Sequence, residues 1–387
     1  MRSNTLQNNP SSTLKSTWFK GLNALRFFAA SLVVLMHIQS NLKIQGLPHY
    51  LDYPINSKGL WAVSFFFVLS GFLITYLLLV EEKKTSTINI KDFYLRRVFR
   101  IWPLYFLVIF LGFIFYWKVA PILGFEAPTH YSISLAVLMY VFFLANLMNS
   151  LFDVGGIIHV TWSIAVEEQF YLFWAPLVKR LKSNLMPVIV SISLFFLLLN
   201  TANTLNIFNL SEKIQVFIRT LQFHYMGIGA ALAWMLFYKK DWLMNQIVFT
   251  SKPLQFLLTI LIILFFLGYN KSTIGEVILP LPIGLLLGWL ILNLGVNQNS
   301  IFSLDNKVFN YLGDISYGIY MLHVPFIYAV SLLFKKMLHG FIESKWYLPL
   351  YYIVLFSIVI IVASISYKYV EQPILAIQKK LKQAKQN

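Results

Sequence analysis

The sequence predicts an all-α polytopic membrane protein with about ten transmembrane helices, one re-entrant segment and both termini on the cytoplasmic side. Three observations predict it. Of the 387 residues, 58% are hydrophobic and only 12% charged, whereas soluble domains carry about 25% charged residues. Eleven apolar stretches, at about 22–39, 59–80, 101–119, 132–149, 162–178, 185–201, 214–238, 253–269, 274–294, 310–334 and 347–369, each approach the roughly 20 residues that a spanning helix needs. The cations, finally, cluster beside these stretches: Lys15 and Lys20; Lys83, Lys84, Lys91, Arg96, Arg97 and Arg100; Lys179, Arg180 and Lys182; Lys239 and Lys240; Lys379, Lys380 and Lys382. Cytoplasmic connections carry the Lys/Arg excess. If all eleven stretches crossed, the 179–182 and 239–240 clusters would lie outside. If 132–149 enters and leaves on the outer side, every cluster falls inside, and re-entrant backbone is tolerated where protein covers it. Asn146, Asn149 and the Gly155–Gly156 pair suit such a turn. Lys335, Lys336 and Lys345 are left outside.

Composition also excludes function classes. The formal charge of +16 sits in juxtamembrane clusters, which points to anionic lipid headgroups rather than nucleic acid as partner. The absence of cysteine removes disulfides, thiolate metal sites and thiol nucleophiles, and no metal is expected. Residues 1–17 read as a polar cytoplasmic tail without the apolar core of a cleavable signal. A transmembrane domain over 18–375 and a basic cytoplasmic tail over 376–387 complete the organisation. No HExxH, GxSxG, phosphate-binding loop or Gly-rich dinucleotide turn is present.

The first stretch holds Arg26 and His37. Eleven residues at 100° each return within about 20° of the same helix face, so both project one way, roughly 16 Å apart along the axis. Ionisable groups at membrane depth are costly and mark functional paths. In the second stretch Ser70 and Gly71 are small among bulky neighbours and allow close approach of a helix or an acyl chain. Arg97 and Arg100, three apart, share a face and suit a phosphate-bearing ligand, since each guanidinium binds phosphate bidentately; Pro103 is expected to pin the start of the third helix. Glu167 and Glu168 lie two turns into an apolar helix, where a carboxylate needs an Arg, a His or water from elsewhere. Ser163 shares the Glu167 face, and Glu168 points about 100° away. Further on, Tyr320 lies three residues before His323, on its face, with Asp314 and Ser316 placed for N-capping. Glu371 stands near the inner boundary, where it either steadies the arginines or ends the helix.

A base with a nearby carboxylate and a cationic cradle suits transfer of an activated group from a phosphate-bearing donor. His removes a proton from the acceptor hydroxyl, and Glu sets its tautomer. The same intramembrane Arg, His and Glu also suit a proton-coupled transporter of an anion or acyl metabolite, although no internal repeat is evident.

The motifs Arg26-x10-His37, FFFVLSGFL (65–73), RRVFRIWP (96–103), Gly155–Gly156, WSIAVEEQFY (162–171), ISYGIYMLH (315–323) and VEQP (370–373) occur in the order found in the acyltransferase-3 family of bacterial membrane O-acyltransferases, which the chain resembles over residues 18–375. The resemblance implies that His37 is the catalytic base, Arg26 its paired cation, Arg97 and Arg100 the donor-binding pair, Glu167 the family's acid, and the Gly pair an outer, partly re-entrant loop. Ser163, Tyr320, His323, Gly155 and Gly156 complete the candidate binding set. Acyl-CoA, usually acetyl-CoA, is implied as donor, and a hydroxyl of a carbohydrate or lipid-linked glycan (O-antigen, exopolysaccharide or peptidoglycan) as acceptor, in a multi-pass protein of the inner membrane. Several relatives add a C-terminal esterase-like domain. Here VEQP lies about 15 residues from the last residue, so a stand-alone form is expected, working alone or with a separate outer-face transferase.

Overall fold

The computed structural model describes residues 19, 21–50, 53–122, 131–268, 272–337, 340 and 342–384. Residues 1–17 and Lys20 lie outside the described residues. Regular structure among those described is helical, without β-strands. Six helical runs are long and apolar enough to cross a membrane: Leu22–Ile44, Gly59–Thr85, Ile90–Ile122, Gly156–Thr204, Ser316–Lys336 and Tyr347–Leu381. Lys252–Gly268 and Pro280–Gly295 are apolar but shorter. The chain is an all-α membrane protein.

Helix α1 (Leu22–Ile44) is unbroken, so the Arg26–His37 spacing along its axis holds at about 16 Å. Helix α2 (Gly59–Thr85) is the hub, packing against α1 and, further along the chain, Trp162–Leu181, Phe223–Tyr238 and Pro280–Gly295. Helix α3 (Ile90–Ile114) starts at an Asn89 N-cap whose side chain accepts from Asp92 N. Pro103 therefore sits in the helix interior rather than at its start, and the arginines are helical residues. A π-helical turn, Phe115–Val119, continues α3.

The 132–149 stretch is not one helix. It forms α4 (Ile133–Val141) and α5 (Ala145–Leu151), of nine and seven residues, each far short of a roughly 30 Å hydrocarbon core. The break is at Phe143, with φ +55°, an uncommon conformation for a bulky residue. Its ring stacks on Tyr105 at 4.7 Å and its carbonyl accepts from Gln169 Nε2 at 2.7 Å, which holds the break in place. Gly155, at φ +75°, leads into the one-turn α6 (Gly156–His159) and then α7 (Trp162–Leu181).

Other stretches also divide where side chains capture the backbone. Helix α7 ends at Lys182, φ +49°, before α8 (Met186–Thr204). The 214–238 stretch becomes α9 (Glu212–Thr220) and α10 (Phe223–Tyr238), split where Asn200 Nδ2 donates to Leu221 O. After α11 (Lys252–Gly268), the 274–294 stretch divides at Pro280 into Thr273–Ile278 and α12 (Pro280–Gly295). The 310–334 stretch becomes α13 (Lys307–Asp314) and α14 (Ser316–Met337). There Ser316 Oγ donates to Gly313 O at 2.7 Å, so Ser316 does not act as an N-cap. Helices α15 (Tyr347–Ser366) and α16 (Gln372–Ala384) are joined by a π-turn, Tyr367–Glu371, so Glu371 does not end the helix.

The basic clusters converge on one end of the bundle. Lys182 bridges Glu82 at 3.0 Å, Trp234 Nε1 donates to Ser183 O, and Lys83 lies over the Phe237 ring. The 83–84, 179–182 and 239–240 clusters therefore share one face of the protein. At the opposite end Lys335 Nζ donates to Gln45 O at 3.1 Å, covering the C-terminal carbonyls of α1, where a cation is favourable.

Two glycines let α2 and α10 meet backbone to backbone. A Cβ at Gly71 would lie 2.0 Å from Met226 O, and one at Gly229 1.9 Å from Val68 O. This is the small-residue packing by which membrane helices approach closely. Gly229→Ala should cost ~1–3 kcal/mol by overpacking, read as a lower thermal midpoint in detergent. Gly268→Ala, which meets nothing within 4 Å, should leave the midpoint unlowered.

Candidate active site

Six helices, α13 with Asp314 among them, line a cavity of about 180 Å3 at the basic end. Helix α1 contributes Arg26, α2 contributes Phe66 and Ser70, α3 contributes Arg97 and Arg100, α7 contributes Ser163, Glu167 and Tyr171, and α14 contributes Tyr317 and Tyr320. A second space of about 240 Å3 opens beside it, lined by Arg96, Arg97 and Arg100 with Phe93, Leu375 and Gln378. Arg97 and Arg100 face both, so the two spaces share a guanidinium wall.

Arg97 is half-buried, with its Nε fully buried. Its guanidinium lies 5.6 Å from the ring centroids of both Phe93 and Tyr171, and its Nε has no hydrogen-bond partner among the described residues. Cation–π contact of this kind offsets part of the desolvation of a buried cation. Arg100 is exposed, with Glu371 as a charged neighbour, and Arg96 pairs with Glu81 at 2.7 Å. Arg26 donates to Asn23 Oδ1 at 3.1 Å, and Asn23 Nδ2 donates to Asp314 Oδ1 at 3.0 Å. Asp314 is thus tied to α1 instead of capping α14; burial raises its carboxyl above the usual range, with the Asn23 bond opposing.

The two acids separate by side. Glu167 lines the cavity, with Arg97 and Arg26 as its cationic neighbours, while Glu168 turns to α3 and accepts from Trp102 Nε1 at 3.4 Å. Glu167 Oε2 accepts from Tyr171 OH at 2.7 Å, and Ser70 Oγ bonds the same hydroxyl. Across the cavity Tyr320 OH donates to Val160 O at 3.1 Å and bonds Ser163 Oγ at 2.7 Å.

His37 and His323 do not line this cavity. His37 Nδ1 lies 2.7 Å from His323 Nε2, with the rings stacked at 5.0 Å and 16°. His323 is fully buried, and its Nδ1 meets Tyr320 O at 2.6 Å and Ile319 O at 3.2 Å. His37 is half-buried, and its titratable neighbours are His323 and His159. Glu167 bonds Tyr171 instead of His37, so the expected tautomer-setting role of this acid is not what the geometry provides. Gly155 and Gly156 also lie away from the cavity: a Cβ on Gly155 would meet the Tyr116 ring at 2.2 Å, and one on Gly156 would meet Tyr328 OH at 2.9 Å. Tyr116 OH accepts from Ile157 N, which makes the Gly pair a packing corner that sets the start of α7.

The structure thus brings together Arg26, Arg97, Arg100, Ser163, Glu167 and Tyr320, and separately pairs His37 with His323. Sequence reasoning passed over Tyr171, whose signal was its place four residues after Glu167, and His159, three residues before the WSIAVEEQFY motif. Among the described residues no group of three His, Cys, Asp or Glu is arranged to hold a metal.

A guanidinium-walled chamber and a histidine pair inside an apolar helical bundle mark a membrane protein with ionisable groups gathered at depth. The particular family follows from comparison: residues 19–368 match the acyltransferase domain, so the chain belongs to the acyltransferase-3 family. It is similar to the O-acetyltransferase OatA of Staphylococcus aureus, 26% identical over 377 residues, covering 92% of this chain and 57% of the relative. The putative peptidoglycan O-acetyltransferase YrhL of Bacillus subtilis is 30% identical over 165 residues, covering 41% of this chain and 23% of the relative. The chain therefore spans little more than half the length of OatA. No solved structure matches it significantly.

The Tyr171 hydroxyl is the shared partner of Ser70 and Glu167. Tyr171→Phe should lower stability by ~1–3 kcal/mol, because a buried acceptor loses its donor. Ser70→Ala combined with it should cost less than the sum of the two, as a double-mutant cycle of thermal unfolding would read.

Proposed function

We propose that this protein is a membrane O-acyltransferase that moves an acetyl or other short acyl group from acyl-CoA to a hydroxyl of a cell-surface carbohydrate. The observation that carries the reading is the wall of Arg97 and Arg100, with Arg26 nearby, shared by two adjoining cavities. Guanidinium forks match phosphate oxygens, and coenzyme A carries its phosphates at one end and the thioester at the other. His37 lies about 16 Å beyond Arg26 along α1, at the far end of an extended donor. The acceptor hydroxyl loses its proton to His37 as its oxygen attacks the thioester carbonyl carbon. The C–S bond then breaks, an ester remains on the sugar, and the imidazolium returns the proton to the departing thiolate. Arg26 and Glu167 set the charge balance of the chamber in which the donor lies.

The converging basic clusters support ten spans with both termini cytoplasmic, residues 18–375 as the transmembrane domain, and the guanidinium wall facing the cytoplasm. They also support placement in the inner membrane, where acyl-CoA is at hand. The name of YrhL favours peptidoglycan among the acceptors, ahead of O-antigen or exopolysaccharide. Family membership favours transfer chemistry over a proton-coupled transporter.

Mass spectrometry and proton NMR of envelope glycans should show an acetyl ester with the wild-type gene and none with His37→Ala or without the gene; identical glycans in all three would overturn the reading. With purified protein and labelled acetyl-CoA, Arg97→Gln and Arg100→Gln should each raise the KM for acetyl-CoA roughly 10- to 100-fold, the loss expected for one charged hydrogen bond. His37→Ala should instead abolish kcat.

A further inference from the structure

We infer that His323 is a positioning residue that fixes the tautomer of His37, so that His37 Nε2 carries the free lone pair. The inference rests on the proposed role of His37 as base. It starts from two carbonyls. Tyr320 O and Ile319 O, at 2.6 and 3.2 Å from His323 Nδ1, can only accept, so Nδ1 must carry the hydrogen. A neutral imidazole protonated at Nδ1 has its lone pair at Nε2. His37 Nδ1, 2.7 Å from that nitrogen, must therefore donate, and the remaining His37 nitrogen, Nε2, is unprotonated.

Among the described residues neither ring is hydrogen-bonded to a carboxylate, and an unpaired imidazolium would be costly both at the fully buried His323 and at the half-buried His37 inside the apolar bundle, so both rings are neutral. His323 is buried at 0% exposure, which leaves it no route to substrate and separates its role from that of a catalytic residue. His37 is half-buried, and its Nε2 has no hydrogen-bond partner among the described residues. The other titratable neighbour of His37 is His159, which in turn has Asp153 as its neighbour. The carboxylate that usually orients a catalytic histidine is here replaced by a second imidazole, anchored by the backbone of its own helix. When Nε2 takes the acceptor proton, the Nδ1 hydrogen stays directed at the His323 lone pair, and the ring does not turn.

The test uses the full chain labelled with [15N]histidine in lipid nanodiscs, with His37→Gln to assign the His37 signals. The wild type should show His37 Nε2 as a pyridine-type nitrogen and Nδ1 as a pyrrole-type nitrogen. The opposite assignment would overturn the inference, whether or not acetyl transfer is detected. Failure of the wild type to transfer acetyl from acetyl-CoA would instead count against the function reading and leave the NMR result to stand. For kinetics, His323→Leu removes the acceptor and should lower kcat roughly 10- to 100-fold, the usual effect of losing an orienting partner, with the KM for acetyl-CoA unchanged. His323→Gln places an amide oxygen where Nε2 was and should restore kcat to within a few-fold. An undiminished kcat in His323→Leu would overturn the inference. If the Leu variant fails to fold, the wild-type spectrum and the Gln variant decide: a pyridine-type His37 Nε2 retained in His323→Gln supports it, and a pyrrole-type Nε2 there overturns it.

Discussion

Arg97 is a cation held inside an apolar bundle, and its neighbours are arranged around that fact. A buried guanidinium needs rings, carboxylates or a ligand to replace water. Phe93 lies one turn before it on the same helix, Tyr171 crosses from α7, and both rings lie 5.6 Å away. Glu167 and Glu168 add charge from α7, one on each side. The residue order on α7 follows from this: adjacent acids diverge by about 100°, so one can face the chamber while the other meets α3. The Arg97 Nε is left without a hydrogen-bond partner among the described residues.

That demand propagates into the packing. The chamber needs α2 near α3 and α7 on one side, while α2 must also be held firmly on the other. Gly71 and Gly229 meet this need by letting α2 and α10 approach at backbone distance. Ser70, one residue before Gly71, faces the chamber instead and bonds Tyr171. Two adjacent small residues thus serve opposite faces of α2, and in membranes such small-residue contacts take the place of the hydrophobic drive between helices.

The long helices were legible because an apolar run of this length has no alternative in lipid that satisfies its backbone. The breaks were not legible, because each depends on a side chain distant in sequence: Asn200 on Leu221 O, Gln169 on Phe143 O. Spacing placed Ser163 with Glu167 and Arg97 with Arg100 on shared faces, and the structure assembles these four with Arg26 and Tyr320 around one cavity. The partner of His37 was not legible. It lies 286 residues away, and an acid is the usual partner for such a histidine, so Glu167 drew the assignment. Periodicity reports which side chains share a face of one helix and says nothing about which helix stands opposite.

Tyr320 joins the two halves of the site. Its hydroxyl bonds Ser163 on the chamber wall, and its carbonyl receives His323 Nδ1. An α-helix makes this possible because side chains lean toward the N-terminus. The Tyr320 ring therefore reaches back toward the basic end, while the His323 ring, one turn later, leans back onto the Tyr320 carbonyl. One turn of α14 thus anchors the chamber wall through a side chain and the histidine pair through the backbone. Any shift of that turn moves both together, so the distance from the guanidinium wall to the His37 imidazole is set by two helices, α1 and α14, instead of by a loop. Both ends of that separation are thus fixed by regular backbone.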